Sequence, residues 1–228
     1  MRHTQITPDL AEAACGQNSR PLPVTDSETI DRLKFRFVET ARTICPQFRI
    51  TAEQRHVIAA VFDWCLMRPG ELDPAKGLWL HGDIGSGKTT LLRIVKKFCH
   101  DYGCRPGIDP GKRYSFRISN AIEVCSEFSK GGYPAIQQYI DSRCQAFDEI
   151  GSESSPTGYY GTAENVFQYI FQQRYDKRHS GFTHVTTNHN VSGIANLYSP
   201  RIYDRCREMF NFVELNGTTF RKDKETKI

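Results

Sequence analysis

Gly82-Asp83-Ile84-Gly85-Ser86-Gly87-Lys88-Thr89 fills every fixed position of the pattern G-x-x-x-x-G-K-[ST]. The octapeptide follows an apolar run, Leu78-Trp79-Leu80, and precedes a stretch in which Leu91, Leu92, Ile94 and Val95 have helical spacing. Strand, glycine-rich turn and helix in that order make a phosphate cradle. The glycines let successive backbone N–H groups converge on phosphate oxygens, and the start of the helix turns its positive end to the same anion. In such a cradle Lys88 reaches the β- and γ-phosphates of ATP, Thr89 holds Mg²⁺, and the loop from Gly82 through Thr90 wraps the ligand.

Around the cradle, short apolar runs alternate with helical stretches. Strands are expected at Gly77 to His81, Tyr114 to Ile118, Gln145 to Phe147, Thr183 to Thr187 and Phe212 to Leu215. Helices are expected at Lys88 to His100, Ala121 to Ile140 with a break at Gly131-Gly132, Ala163 to Arg178, and Pro200 to Phe210. That alternation implies an α/β fold with a five-stranded, mostly parallel sheet. Two helices precede it. Ile30, Leu33, Phe37, Val38, Ala41 and Ile44 repeat at three- and four-residue steps over Ser27 to Ile44, and a second helix starts at Thr51, which has capping-box spacing to Gln54, and stops at Pro69-Gly70. The expected organisation is a flexible arm over 1–26, a helical region over 27–71, a nucleotide-binding core over 72–221 and a basic tail over 222–228.

A nucleotide site needs a second anchor for the metal, and Gln145-Ala146-Phe147-Asp148-Glu149 offers an acidic pair where a strand ends. Asp148 is placed to bind Mg²⁺ and Glu149 to orient and deprotonate water, a division suited to hydrolysis. Thr186-Thr187-Asn188 ends the fourth strand, so Asn188 reaches the γ-phosphate if strands one, three and four are neighbours. Arg201 and Arg205 lie four apart on one helical face, where a permanently charged guanidinium suits a transferring phosphoryl group on a neighbouring subunit.

In order, Gly82 to Thr89, Phe147-Asp148-Glu149-Ile150-Gly151, Arg174-Tyr175, Thr186-Thr187-Asn188 and Arg201-Ile202-Tyr203-Asp204-Arg205 resemble the AAA+ ATPase core of the DnaC-type helicase loaders and the IstB-type transposition helpers, over about Leu72 to Arg221. The resemblance implies a P-loop NTPase of the ASCE type and ATP-driven assembly of a homo-oligomer on single-stranded DNA in replication. Lys88 and Thr89 then bind ATP and Mg²⁺, Asp148 and Glu149 form the acidic pair, Asn188 is the sensor, and Arg205 or Arg201 acts in trans. With so short a stretch after Leu215 no helical lid is expected, and Gly217-Thr218-Thr219-Phe220-Arg221 is similar to the loaders' ending, with Thr219 in place of Ser. The front departs from the pattern: two helices and no metal ligands stand where loaders carry a helicase-gripping module, which leaves the partner open between a replicative helicase and a transposase.

Composition narrows the classes further. The chain is 25% charged and 39% hydrophobic with a net charge of +4, which excludes a disordered tail and permits an anionic partner without demanding one. The most apolar run, Val57 to Met67, falls short of the ~18 residues of a membrane span and contains Asp63. A cytoplasmic location and no membrane partner are expected, and the eight cysteines are expected as free thiols because they are scattered through helices and strands. Cys99, His100 and Cys104 have no second ligand pair, so no zinc site is expected. Lys130 and Tyr133, beside the Gly-Gly break, lie in the interval where the loaders face DNA. Two other readings stay open: a nucleotide-regulated adaptor whose first 70 residues hold a protein, and a small-molecule kinase, which leaves Glu149 without a role.

Overall fold

Gly77-Leu78-Trp79-Leu80-His81 is buried along its whole length, the mark of a strand with neighbours on both edges and layers on both faces. The computed structural model describes residues 26–105, 113–179 and 182–216. Among these, the elements run α1 (Ser27–Ile44), α2 (Arg55–Cys65), β1 (Gly77–His81), α3 (Lys88–Tyr102), β2 (Arg117–Asn120), α4 (Ala121–Asp141) and β3 (Gln145–Ile150). They continue with β4 (Thr157–Tyr159), β5 (Thr162–Glu164), α5 (Val166–Asp176), β6 (Thr183–Thr187), α6 (Val191–Leu197), α7 (Pro200–Met209) and β7 (Phe210–Glu214). The arm before Asp26, the ending Gly217 to Arg221 and the tail over 222–228 lie outside the described residues.

The main sheet has the order β2-β3-β6-β1-β7 and every neighbouring pair in it is parallel. Side chains on β1 alternate between two cores, as a two-residue period requires. Leu78 and Leu80 enter the first core with α1, α2 and α3, where Phe37, Phe62 and Phe98 meet at centroid distances of 5.6, 5.1 and 5.9 Å. Trp79 enters the second core with residues of α4, α5 and α7, edge-on to Phe210 at 5.0 Å. The two leading helices therefore share a core with the helix that begins at Lys88. Asp26 caps α1, its carboxylate accepting from Thr29 N at 2.7 Å.

Because β3, β6 and β1 are neighbours, their carboxyl ends set Asp148-Glu149, Thr186-Thr187 and the glycine loop side by side. Several element bounds differ from the sequence reading. The second strand is Arg117–Asn120: Tyr114 and Phe116 point into the first core, but the ladder begins only where Arg117 pairs with Gln145. The last strand starts at Phe210, which pairs with Gly77. Thr51 does accept from Gln54 N at 3.3 Å, yet regular helix begins at Arg55. Ala163 and Glu164 belong to an unforeseen β4–β5 hairpin, so α5 starts later, capped by Asn165. The break in α4 falls at Gly132, φ 61°, against which the Tyr159 ring packs so closely that a Cβ would lie 2.6 Å from it.

Two buried cationic side chains lock the layers. Arg174, fully buried, donates to the carbonyls of Tyr139, Ser142 and Arg143 and to Thr183 Oγ1, and burial lowers its pKa to about 10. Arg105 donates to the carbonyls of Trp64 and Pro74 and lies 3.6 Å above the Trp64 ring. Beside it, Leu78 N donates to His184 Nδ1 at 3.1 Å, which leaves the ring proton on Nε2, 2.6 Å from the Tyr114 hydroxyl.

Burial pushes the His184 pKa down to about 3, helped by Arg105 and Arg174. The unfolded chain takes up this proton near the ordinary value of 6.5 while the native state refuses it, so acid between those values favours unfolding. Urea unfolding at pH 6.5, 5.5 and 4.5 should show stability falling, with one buried histidine contributing about 1.4 kcal/mol per pH unit. His184→Gln should flatten the slope by that one-proton share.

Candidate functional site

The glycine loop takes its shape from backbone angles that side chains resist: φ is 136° at Gly82, 85° at Gly85 and 95° at Gly87. At Gly82 a Cβ would lie 2.2 Å from Leu215 O, so the loop and the end of β7 touch backbone to backbone. Lys88 is buried and its ammonium donates to Gly82 O at 2.9 Å and Asp83 O at 2.7 Å. A cavity of about 310 Å³ opens above the loop. Residues Ile84 through Leu91 line it together with Glu149, Thr186, Thr187 and Asn188 and with Phe48, Gln54, Ile58 and Leu215.

The acidic pair is held by the neighbouring strand. Asp148 Oδ1 accepts from Thr89 Oγ1 at 2.7 Å and from the Thr186 hydroxyl. Thr186 Oγ1 also accepts from Glu149 N at 2.9 Å, so one hydroxyl fixes both acids. β3 shifts register between Phe147 and Ile150, and Glu149 sits in the left-handed region with φ 64°. A non-glycine residue held there stores about 1–3 kcal/mol of strain, and the result here is an exposed Glu149 carboxylate at the cavity. Thr187 Oγ1 donates to Ile150 O, and His189 packs on Gly151, where a Cβ would lie 2.4 Å from its ring.

Asn120 is a residue that the sequence reading passed over. Its Oδ1 accepts from Ile122 N at 2.9 Å, capping α4, and its Nδ2 donates to Glu149 Oε2 at 3.1 Å. The cap was readable from an Asn before an amphipathic run. The bond to Glu149 was not, because it depends on Asn120 pairing with Asp148 across the β2–β3 ladder.

The structure thus gathers Gly82 to Thr90, Asp148, Glu149 and Asn188, and it does not bring Arg201 or Arg205 to them. Arg205 lies 4.7 Å from the Tyr175 ring centre and 3.5 Å from an Asp176 carboxylate oxygen. Tyr175 in turn donates to Glu208 at 2.6 Å, so this cluster pins α7 to α5. Arg201 is exposed and lines a separate groove with Tyr169 and Gln172. Lys130 and Tyr133 are both exposed, and the Tyr133 ring lies tilted against Tyr169 at 4.6 Å and edge-on to Phe128 at 5.4 Å between centroids. The seven cysteines among the described residues are unpaired. No helix among them is long and apolar enough to cross a membrane.

No protein-family model and no curated protein matches the chain. Solved structures do match. The chain is similar to a DnaC helicase loader with a TM-score of 0.55 at 16% identity, covering 79% of this chain and 99% of that one. It is also similar to a DNA replication initiation factor, TM-score 0.51 at 16% identity, over 75% of this chain and 49% of that one. Domain III of the Thermotoga maritima replication initiation protein DnaA follows at 0.50 and 12% identity, over 74% and 65%. The shared feature is the fold, a five-stranded parallel sheet with helices on both faces.

Thr186→Val keeps shape but removes the hydroxyl that serves both acids. Leaving the Glu149 N–H without its partner should cost about 1–3 kcal/mol in urea unfolding. Thr187→Val, which frees the Ile150 carbonyl and the His189 N–H, should leave Asp148 and Glu149 in place.

Proposed function

We propose that this chain is an ATP-hydrolysing switch that acts in DNA replication as a helicase loader and assembles as an ATP-dependent homo-oligomer on single-stranded DNA. One observation carries the reading: Thr89, Asp148, Thr186 and Glu149 form one hydrogen-bonded set at the open end of the glycine loop. A loop that merely stores a nucleotide has no use for a carboxylate held in strained backbone beside it.

The residues present fit ATP with Mg²⁺. The turns at Gly85 and Gly87 suit backbone N–H groups to phosphate, and the apolar lining residues Phe48, Ile58, Ile84 and Leu215 suit a base. The Thr89 hydroxyl and one Asp148 carboxylate are the small oxygen set that suits Mg²⁺, which completes its shell with phosphates and water. Among the described residues, no group of three or more His, Cys, Asp or Glu is assembled that could hold a metal ion on its own. The cation, when bound, neutralises phosphate oxygens. Lys88 leaves the Gly82 and Asp83 carbonyls to meet the β- and γ-phosphates, and Asn188 orients the terminal phosphate. Glu149 accepts a proton from water as general base.

Arg201 is the group we assign to the trans position. It is exposed and lies outside its own cavity, while Arg205 is engaged with Tyr175 and Asp176. The fold likeness to a helicase loader and to replication initiators supports the replication context. A transposition helper of the IstB type uses the same engine, and a pull-down with the ATP-trapped form separates a helicase partner from a transposase.

Glu149→Gln should retain ATP binding while turnover falls by about 10²–10⁴-fold in a phosphate-release assay. Unchanged turnover refutes the assignment of Glu149. Single-stranded DNA should stimulate wild-type turnover, with binding that weakens as salt rises. No stimulation and no binding would instead favour the nucleotide-regulated adaptor. Arg201→Ala should slow turnover in the oligomer far more than it weakens nucleotide binding, measured by the two assays side by side.

A further inference from the structure

The side chain of Gln54 ties three parts of the molecule together. It stands at the start of α2 and is 5% exposed. Its Nε2 donates to Ser86 O inside the glycine loop at 3.2 Å and to Asn216 O beyond β7 at 3.3 Å. One planar amide nitrogen with two N–H groups serves both carbonyls, which neither a carboxylate nor a thioether can do. The same residue lines the cavity, and its own carbonyl accepts the Ile58 N–H that opens α2. From there the connection is packed: α2 meets α1 through Phe62 and Phe37, and both meet Phe98 of α3.

We infer that Gln54 is a positioning residue that couples the glycine loop to the helical region formed by α1 and α2, so that nucleotide occupancy sets the position of that region. The inference rests on the nucleotide reading of the cavity. Ser86 lies two residues before Lys88, whose ammonium donates to the carbonyls of Gly82 and Asp83 on the same loop. A phosphate that draws Lys88 off those carbonyls reshapes the loop, and the reshaping reaches Ser86 O. Gln54 carries it to the first turn of α2. Because Asn216 O shares the same nitrogen, the end of β7 moves with it or forces Gln54 to choose between the two carbonyls. In either case the leading helices receive the displacement through a hydrogen bond.

The test uses the full chain with and without AMPPCP and Mg²⁺, and reads hydrogen–deuterium exchange over 82–90 and over the two leading helices. In the wild type the nucleotide should slow exchange in both regions. Gln54→Met keeps length and burial but has no N–H to give. It should bind AMPPCP about tenfold more weakly, as the loss of its buried hydrogen bond to the glycine loop predicts. At saturating AMPPCP it should keep the protection over 82–90 and lose the nucleotide-dependent protection over 27–65. A residue that only stabilised the fold would raise exchange equally with and without nucleotide, and that result overturns the inference. So does full retention of helix protection in the variant. Gln54→Glu, which places oxygens against two carbonyls, should uncouple in the same way. Should both variants unfold, the wild type alone decides, since protection confined to 82–90 overturns the coupling. A wild type that binds no AMPPCP overturns the nucleotide reading together with the coupling, whereas binding without helix protection sinks the coupling alone.

Discussion

A single carboxylate oxygen organises the end of this molecule where the glycine loop meets the sheet. Asp148 Oδ1 receives the hydroxyl of Thr89 from the helix after the glycine loop and the hydroxyl of Thr186 from the adjacent strand. Three segments distant in sequence meet at that atom, and each is placed by a separate piece of the fold: α3 by its start at Gly87, β3 and β6 by their shared ladder. Both partners donate to Asp148, and those donations also fix the two threonine rotamers. The strained turn at Glu149 depends on the same arrangement, since Thr186 accepts its backbone N–H. Without this oxygen the glycine loop would face an unanchored strand end.

What the sequence displayed and what it concealed divide along physical lines. β1 and β6 were readable to the residue, because each is buried along its whole length and bounded by polar turns. The five-stranded parallel sheet followed from the alternation of strands and helices. The β4–β5 hairpin was hidden: Thr157-Gly158-Tyr159 and Thr162-Ala163-Glu164 are three-residue strands too short to show a period, and Ala163 extends a helical pattern. The second strand was placed too early because alternating Tyr114, Phe116 and Ile118 report burial, whereas ladder pairing is a matter of which backbone lies alongside. Of the candidate site, the loop and the acidic pair stood in contiguous motifs. Asn120 and Gln54 also bond to partners 29 and 32 residues away, and local sequence displays only their places at helix starts.

Arginines illustrate how residue type underdetermines role. Arg174 and Arg205 both fall in motifs of apparent functional meaning. In the fold, Arg174 closes buried carbonyls between α4 and β6, and Arg205 fastens α7 to α5. A guanidinium is equally able to satisfy carbonyls, lie on an aromatic ring or meet a phosphate, and only the surroundings choose.

The two tryptophans of the chain, Trp64 and Trp79, are both fully buried, and they sit on opposite faces of the sheet. Trp64 lies under the Arg105 guanidinium, and Trp79 among Phe171, Phe210 and Phe212. Each layer of the molecule therefore carries its own intrinsic fluorophore in a distinct electrostatic setting. With one indole replaced by phenylalanine, emission from the other reports on a single layer, so motion on one side can be followed optically without attaching a dye.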